Sequence, residues 1–187
     1  MPSIDYNFIN ELTKNDLSSF KIFVESGTYF GETIFEMEKY FDQLYTIEIN
    51  EKFYNNVKNK YNGNKINFYL GASEDKLTEI CNSLKDNTIF FLDGHWSAGD
   101  TGKGEKDCPL YEELNVINEL FKHNGIIIVD DVRLFGKGPN KGDEICNWED
   151  INIEKLLSII EKRTSKYYFM PSTLYEKDRL IIHINNL

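Results

Sequence analysis

Short apolar runs alternate with amphipathic stretches along most of this chain. The runs Lys21–Ser26, Gln43–Ile49, Ile66–Leu70, Thr88–Leu92 and Gly125–Val129 read as strands. Between them, apolar positions recur at helical spacing over about 31–41, 51–61, 74–85 and 107–123, and a further helix is expected ahead of the first strand, over about 4–19. Strictly alternating strands and helices in such short units predict an α/β fold whose parallel sheet is covered on both faces. Beyond Val129 come a polar loop from Gly136 to Trp148, a helix from about Ile151 to Lys162, and strand-like runs at Lys166–Met170 and Asp178–Ile184. Pro171 and Ser172 start a turn between the last two runs, which predicts a closing hairpin and a seven-stranded, mostly parallel sheet.

With 187 residues, 41% of them hydrophobic, the chain suits one domain with a sizeable core and has no room for a second. A net charge of −10 disfavours a protein whose task is to grip nucleic-acid phosphates and points to a small-molecule or carbohydrate partner. No apolar stretch follows a basic N-terminus and none is long enough to span a bilayer, so no membrane association and a cytoplasmic location are expected. Cys81, Cys108 and Cys146 match neither a disulfide framework nor a zinc site and read as reduced thiols. The exposed helix faces mix charges without an interface stripe, which leaves a homo-oligomer possible and open.

Candidate chemistry collects where the apolar runs end, because ligands of an open parallel sheet bind beyond the carboxyl ends of its strands. The first run passes through Glu25 and Ser26 into Gly27, Thr28 and Gly31, an E-x-G-x-x-x-G turn at the start of a helix. The tighter glycine spacing that seats a pyrophosphate is missing, so a nucleoside ligand without phosphates is expected, and S-adenosylmethionine is such a ligand. Glu48 closes the second run at the spacing of a ribose-binding carboxylate, with Ile49 placed to pack on adenine; a solvated strand end is the plainer alternative for Glu48. Ala72 and Ser73 suit the adenine edge, and Ser73 also reads as a helix N-cap.

Asp93, Asp130 and Asp131 end adjacent strands, and three carboxylates there repel unless a cation such as magnesium sits among them or neighbours such as Arg133 pair with them. His95 follows Asp93 by two positions and has the chemistry of a general base. The loops 96–107 and 136–149 are long and polar and are expected to shape the acceptor site; Trp96 can stack on a sugar ring or serve as a packed hinge. Neither loop contains a Walker sequence.

These residues resemble class I S-adenosylmethionine-dependent methyltransferases from about Phe20 to Phe135, and more loosely to the C-terminus. Within that class, Phe91-Leu-Asp-Gly-His-Trp and Ile128-Val-Asp-Asp-Val look like the metal-dependent sugar O-methyltransferases of the macrocin and novobiocin type. The resemblance implies a Rossmann-like fold, bound S-adenosylmethionine, magnesium held by Asp93, Asp130 and Asp131, and Asp93 and His95 as catalytic groups; His95 stands where those enzymes often carry an acid. It implies methylation of a hydroxyl on a sugar, nucleotide sugar or glycosylated metabolite. A nicotinamide-dependent oxidoreductase and a non-catalytic S-adenosylmethionine-binding protein are the competing readings.

Overall fold

A computed structural model describes residues 2–14, 16–142 and 144–187. Met1 and Asn15, within the expected N-terminal helical segment, and Asp143, within the loop 136–149, lie outside the described residues. The strands are β1 (Ile22–Ser26), β2 (Gln43–Glu48), β3 (Ile66–Leu70), β4 (Thr88–Leu92), β5 (Gly125–Val129), β6 (Thr164–Met170) and β7 (Arg179–Ile184). The helices are α1 (Tyr6–Leu12), α2 (Glu32–Met37), α3 (Glu51–Lys58), α4 (Ser73–Ser83), α5 (Leu110–Leu120) and α6 (Ile153–Ile160).

The seven strands form one sheet in the order β3-β2-β1-β4-β5-β7-β6. β7 runs antiparallel to both of its neighbours and every other pairing is parallel. This order explains the sequence pattern. β1, β4 and β5 are central and buried at every position, so they read as continuous apolar runs, whereas the edge strands β3 and β6 carry exposed residues. One face of the sheet packs Val24, Phe90 and Ile127 against Leu77, Leu114 and Leu156 of α4, α5 and α6. The other packs Phe23, Phe91 and Ile128 against Ile9 of α1 and Ile34 and Met37 of α2. Among the described residues, no helix is long and apolar enough to cross a membrane.

The helices are shorter than their sequence patterns, for identifiable reasons. The segment expected as one helix over 4–19 divides into α1 and a short 3-10 turn at Leu17–Ser19. Asp5 caps the start of α1 by accepting from the Phe8 N–H, and the helix stops where the Thr13 hydroxyl turns back onto the Ile9 carbonyl and Lys14 takes a positive φ of 52°. The last helical turn around Glu161–Arg163 likewise tightens to 3-10 before β6. All three cysteines are free and buried, and burial pushes the Cys81 thiol up to about 12.

His183 on β7 meets the Tyr168 hydroxyl of β6 at 3.2 Å. Burial, with Lys166 and Lys14 nearby, pushes its imidazole down to about 4 from an ordinary value of 6.5. The unfolded chain binds a proton at this histidine below about 6.5 while the folded chain excludes it until about 4, so the stability that the neutral ring contributes above that window is lost as pH falls through it. Melting temperature measured between pH 7 and pH 4 is expected to fall less steeply in His183→Gln than in the parent protein. Identical slopes would remove His183 from the acid response.

Candidate active site

The strand order reverses between β1 and β4, whose carboxyl ends are neighbours at the mouth of a crevice. A cleft of about 590 Å³ opens there. Its wall includes Gly27 and Thr28 after β1, Glu48 and Ile49 after β2, Ala72 and Ser73 after β3, and Asp93 and His95 after β4. Eight residues singled out from the sequence thus share one cavity.

Glu48 is buried, and its two carboxylate oxygens accept backbone N–H groups from Tyr29 and Asn50, each at 2.8 Å. The acid therefore ties the β1–α2 turn to the start of α3. Each oxygen keeps a further acceptor lone pair, so the carboxylate can still receive a diol. Glu25 and Ser26 lie beneath the cleft instead of in its wall. Glu25 accepts from the Thr46 hydroxyl at 2.7 Å, and Thr46 meets the Thr28 hydroxyl at 2.5 Å, a buried relay that supports the turn. Burial, reinforced by Asp93 and Glu48, raises the Glu25 carboxyl well above its usual range despite that hydrogen bond.

The two glycines of the turn are needed for packing between parts of the chain itself. A Cβ on Gly27, at φ 88°, would stand 2.4 Å from the Asp93 carbonyl oxygen, and one on Gly31, at φ 79°, would stand 2.5 Å from Val57 of α3. Gly31 thus allows the close packing of the β1–α2 turn on α3, and it does not line the cleft.

At the other end of the crevice, His95 is wedged between carboxylates. Its Nε2 lies 3.0 Å from Asp131 and its Nδ1 3.6 Å from Asp93, with the ring edge-on to Trp148. Burial lowers the imidazole pKa, but the hydrogen bond that His95 donates to Asp131 and the charge of Asp93 outweigh it and the net shift is upward. Burial pushes the Asp93 carboxyl up to about 8, with Asp130 and Asp131 adding to the rise and His95 opposing it. Asp131 takes a left-handed backbone at φ 62°, a conformation aspartate tolerates better than most residues. Burial would raise its pKa, yet His95 and Arg133 hold it below the usual range.

The three aspartates expected to act together are divided. Donor atoms of Asp93, His95 and Asp131 lie within 4.8 Å of one another, while Asp130 groups with Asp131 and Asp178. Asp130 is paired with Arg179 at 3.2 Å, and Arg133 bridges Asp131 and Asp178. Arg179 also donates to the Ser3 carbonyl at 2.5 Å and to the Pro171 carbonyl at 3.3 Å, joining both ends of the chain to the end of β5. The two carboxylates of the first group suit a hard divalent cation such as magnesium, whereas the imidazole is a borderline donor better suited to transition metals.

Several cleft residues carried no readable sequence signal. Tyr29 and Phe30 expose their rings at the mouth and pack on Phe53, the first tilted and the second edge-on, and Ser3 arrives from the N-terminus. The loop 96–107 crosses to the Glu48 end of the cleft: Asn50 donates to the Asp100 carbonyl at 2.8 Å, and a Cβ on Gly102 would overlap Ile49. Trp96 has Lys103 over its ring at 4.0 Å.

No protein-family profile matches this chain, and no curated protein matches it in sequence. Solved structures do match. An S-adenosylmethionine-dependent methyltransferase from Clostridium acetobutylicum aligns with 98% of this chain and 92% of its own, at TM-score 0.62 and 11% identity. Human methyltransferase-like protein 13 in complex with SAH aligns over 91% and 74%, at TM-score 0.58 and 10% identity. An rRNA methylase from Streptococcus thermophilus aligns over 94% and 95%, at TM-score 0.54 and 12% identity. The chain has the Rossmann-like fold of class I S-adenosylmethionine-dependent methyltransferases.

Proposed function

We propose that this protein is an S-adenosylmethionine-dependent O-methyltransferase that methylates a hydroxyl of a sugar, nucleotide sugar or glycosylated metabolite with magnesium assisting. The observation that carries the reading is the layout of one cleft. A buried carboxylate and the Ala72–Ser73 turn stand at one end, and the Asp93–His95 pair, backed by Asp131, stands at the other. The first group suits a ribose and an adenine edge; the second suits removal of a proton from an acceptor hydroxyl.

S-Adenosylmethionine supplies an electrophilic sulfonium methyl, and the work left to the chain is to position the acceptor oxygen and take its proton. Asp93 is the more accessible of the two groups, with its side chain 25% exposed against 8% for His95. Both imidazole nitrogens already face carboxylates, so His95 acts best as the partner that steadies Asp93. Asp93 and Asp131 would also hold the cation through carboxylate oxygens, and its contribution there would be to lower the pKa of the acceptor hydroxyl. Direct proton removal and cation assistance use the same side chains and separate on chelation.

Two experiments test the reading. Calorimetry with S-adenosylhomocysteine, using NADH as the control, is expected to give saturable binding of the nucleoside only; saturable NADH binding in its place would overturn the cofactor assignment. Transfer of labelled methyl groups to a panel of simple glycosides and nucleotide sugars is expected to fall about 100-fold in Asp131→Asn. Affinity for S-adenosylhomocysteine in that variant should change by about threefold or less. Transfer undiminished by both chelator and Asp131→Asn would remove the metal from the proposal.

A further inference from the structure

Glu113 is the one acid of α5 that is wholly buried, and neither of its carboxylate oxygens has a hydrogen-bond partner among the described residues. Its position is unusual for an orphan. The carboxyl lies under the floor of the cleft: a Cβ on Gly94 would stand 3.4 Å from Glu113 Oε1 and 2.9 Å from Ser26 Oγ. The hydroxyls of Ser73 and Ser26 face it closely enough to oppose the rise in its pKa that burial causes, although neither meets hydrogen-bond geometry and Ser26 Oγ is itself unpartnered. Gly94 and Ser73 are cleft-lining residues, while Glu113 and Ser26 are not. An unpaired buried carboxyl costs stability, and a well-packed apolar side chain of similar volume would avoid that cost.

We propose that Glu113 is a positioning residue for the nucleoside site, acting through Ser73 by fixing which way that hydroxyl presents its donor and its lone pairs to the purine edge. The Ser73 hydroxyl points at Glu74 Oε2, a weak 3.5 Å contact, and a small approach lets a protonated Glu113 donate to Ser73 Oγ while the Ser73 O–H donates to a ring nitrogen. An ionised Glu113 accepts the Ser73 proton and turns the hydroxyl's lone pairs toward the ligand. Burial drives the carboxyl up to about 7, which keeps the protonated arrangement well populated near neutral pH. Glu74 on α4, His95 after β4 and the Cys108 thiol ahead of α5 are the charged or titratable groups that face it, Glu74 raising and His95 lowering its pKa. Ser26 faces the same carboxyl from β1 without a hydrogen bond to it, so segments from β1, α4 and α5 converge on one buried group. This inference rests on the proposed S-adenosylmethionine site.

The test separates positioning from packing by reading affinity and stability in the same variants. Glu113→Leu removes the orphan, and its melting temperature is expected to equal or exceed that of the parent, while its affinity for S-adenosylhomocysteine falls roughly tenfold. Glu113→Gln keeps a donor beside Ser73 and is expected to restore most of that affinity. In a Ser73→Ala background, Glu113→Leu should have little further effect, because the hydroxyl it acts through is gone. Parent-like affinity in Glu113→Leu overturns the proposal. So does a loss of affinity that follows a loss of melting temperature and is not restored by glutamine. If the parent protein itself fails to bind S-adenosylhomocysteine, the cofactor reading fails and this inference falls with it; binding by the parent with no response to Glu113 overturns the inference alone.

Discussion

Glu48→Ala is expected to lower the affinity for S-adenosylhomocysteine by roughly 100-fold, the largest effect of any single change in the cleft. Among the described residues the carboxylate is the only acceptor of the Tyr29 and Asn50 N–H groups, and both hydrogen bonds are charge-assisted. Removing it releases the turn after β1 and the start of α3 together, and takes away the oxygens placed to hold a ribose diol. Glu48→Gln separates these roles. The amide retains one acceptor oxygen, so one of the two backbone ties survives while the paired acceptor is lost. Calorimetry should therefore rank the parent above glutamine and glutamine above alanine. Equal affinities in all three proteins would return Glu48 to the status of a strand-end acid.

Gly27→Ala is expected to cost about 3 kcal/mol of stability, from roughly 1–2 kcal/mol for a left-handed backbone and a comparable amount for overpacking. The added methyl meets the Asp93 carbonyl, a backbone atom at the end of β4 that cannot move without disturbing the β1–β4 pairing. For a chain of this size, such a loss corresponds to a melting temperature lower by about 10 °C. Gly99→Ala is a useful comparison, because its own φ is positive at 63° while a Cβ there meets nothing within 4 Å. It should show the backbone cost without the clash. If the two variants melt together, the close approach of Gly27 to Asp93 carries no energetic weight.

The sheet was legible in the sequence because its central strands are buried on both faces and so appear as uninterrupted apolar runs; β1 and β4 needed no tertiary information to be located. Helix ends were not, since the hydroxyl of Thr13 and the positive φ of Lys14 decide where α1 stops, and neither produces a break in apolar spacing. The residues of the cleft that follow strands directly, among them Glu48, Ser73 and Asp93, were readable by the rule that ligands sit beyond strand ends. The partition of the acids was not. Asp130 and Asp131 are adjacent in sequence, and the guanidiniums that divide them come from Arg133, two positions on, and from Arg179, in a strand whose place beside β5 only the fold reveals. Glu113 escaped notice for a related reason: an acid on an amphipathic helix reads as solvent-facing until the turn of α5 aims it at the sheet.

The clamp made by Arg179 has a consequence for the order in which the molecule comes together. Its guanidinium reaches Ser3, 176 positions earlier, as well as Asp130. Glu48, Ile49, Ala72 and Ser73 all lie within the first 73 residues, but the guanidinium that pairs with Asp130 comes only with β7, which is inserted between β5 and β6. Closing so long a loop is among the most entropically demanding contacts in the chain. A molecule shortened before Arg179 would thus keep the residues that tie Glu48 to the turn after β1 and the start of α3 while leaving the Asp130 carboxylate without its guanidinium partner.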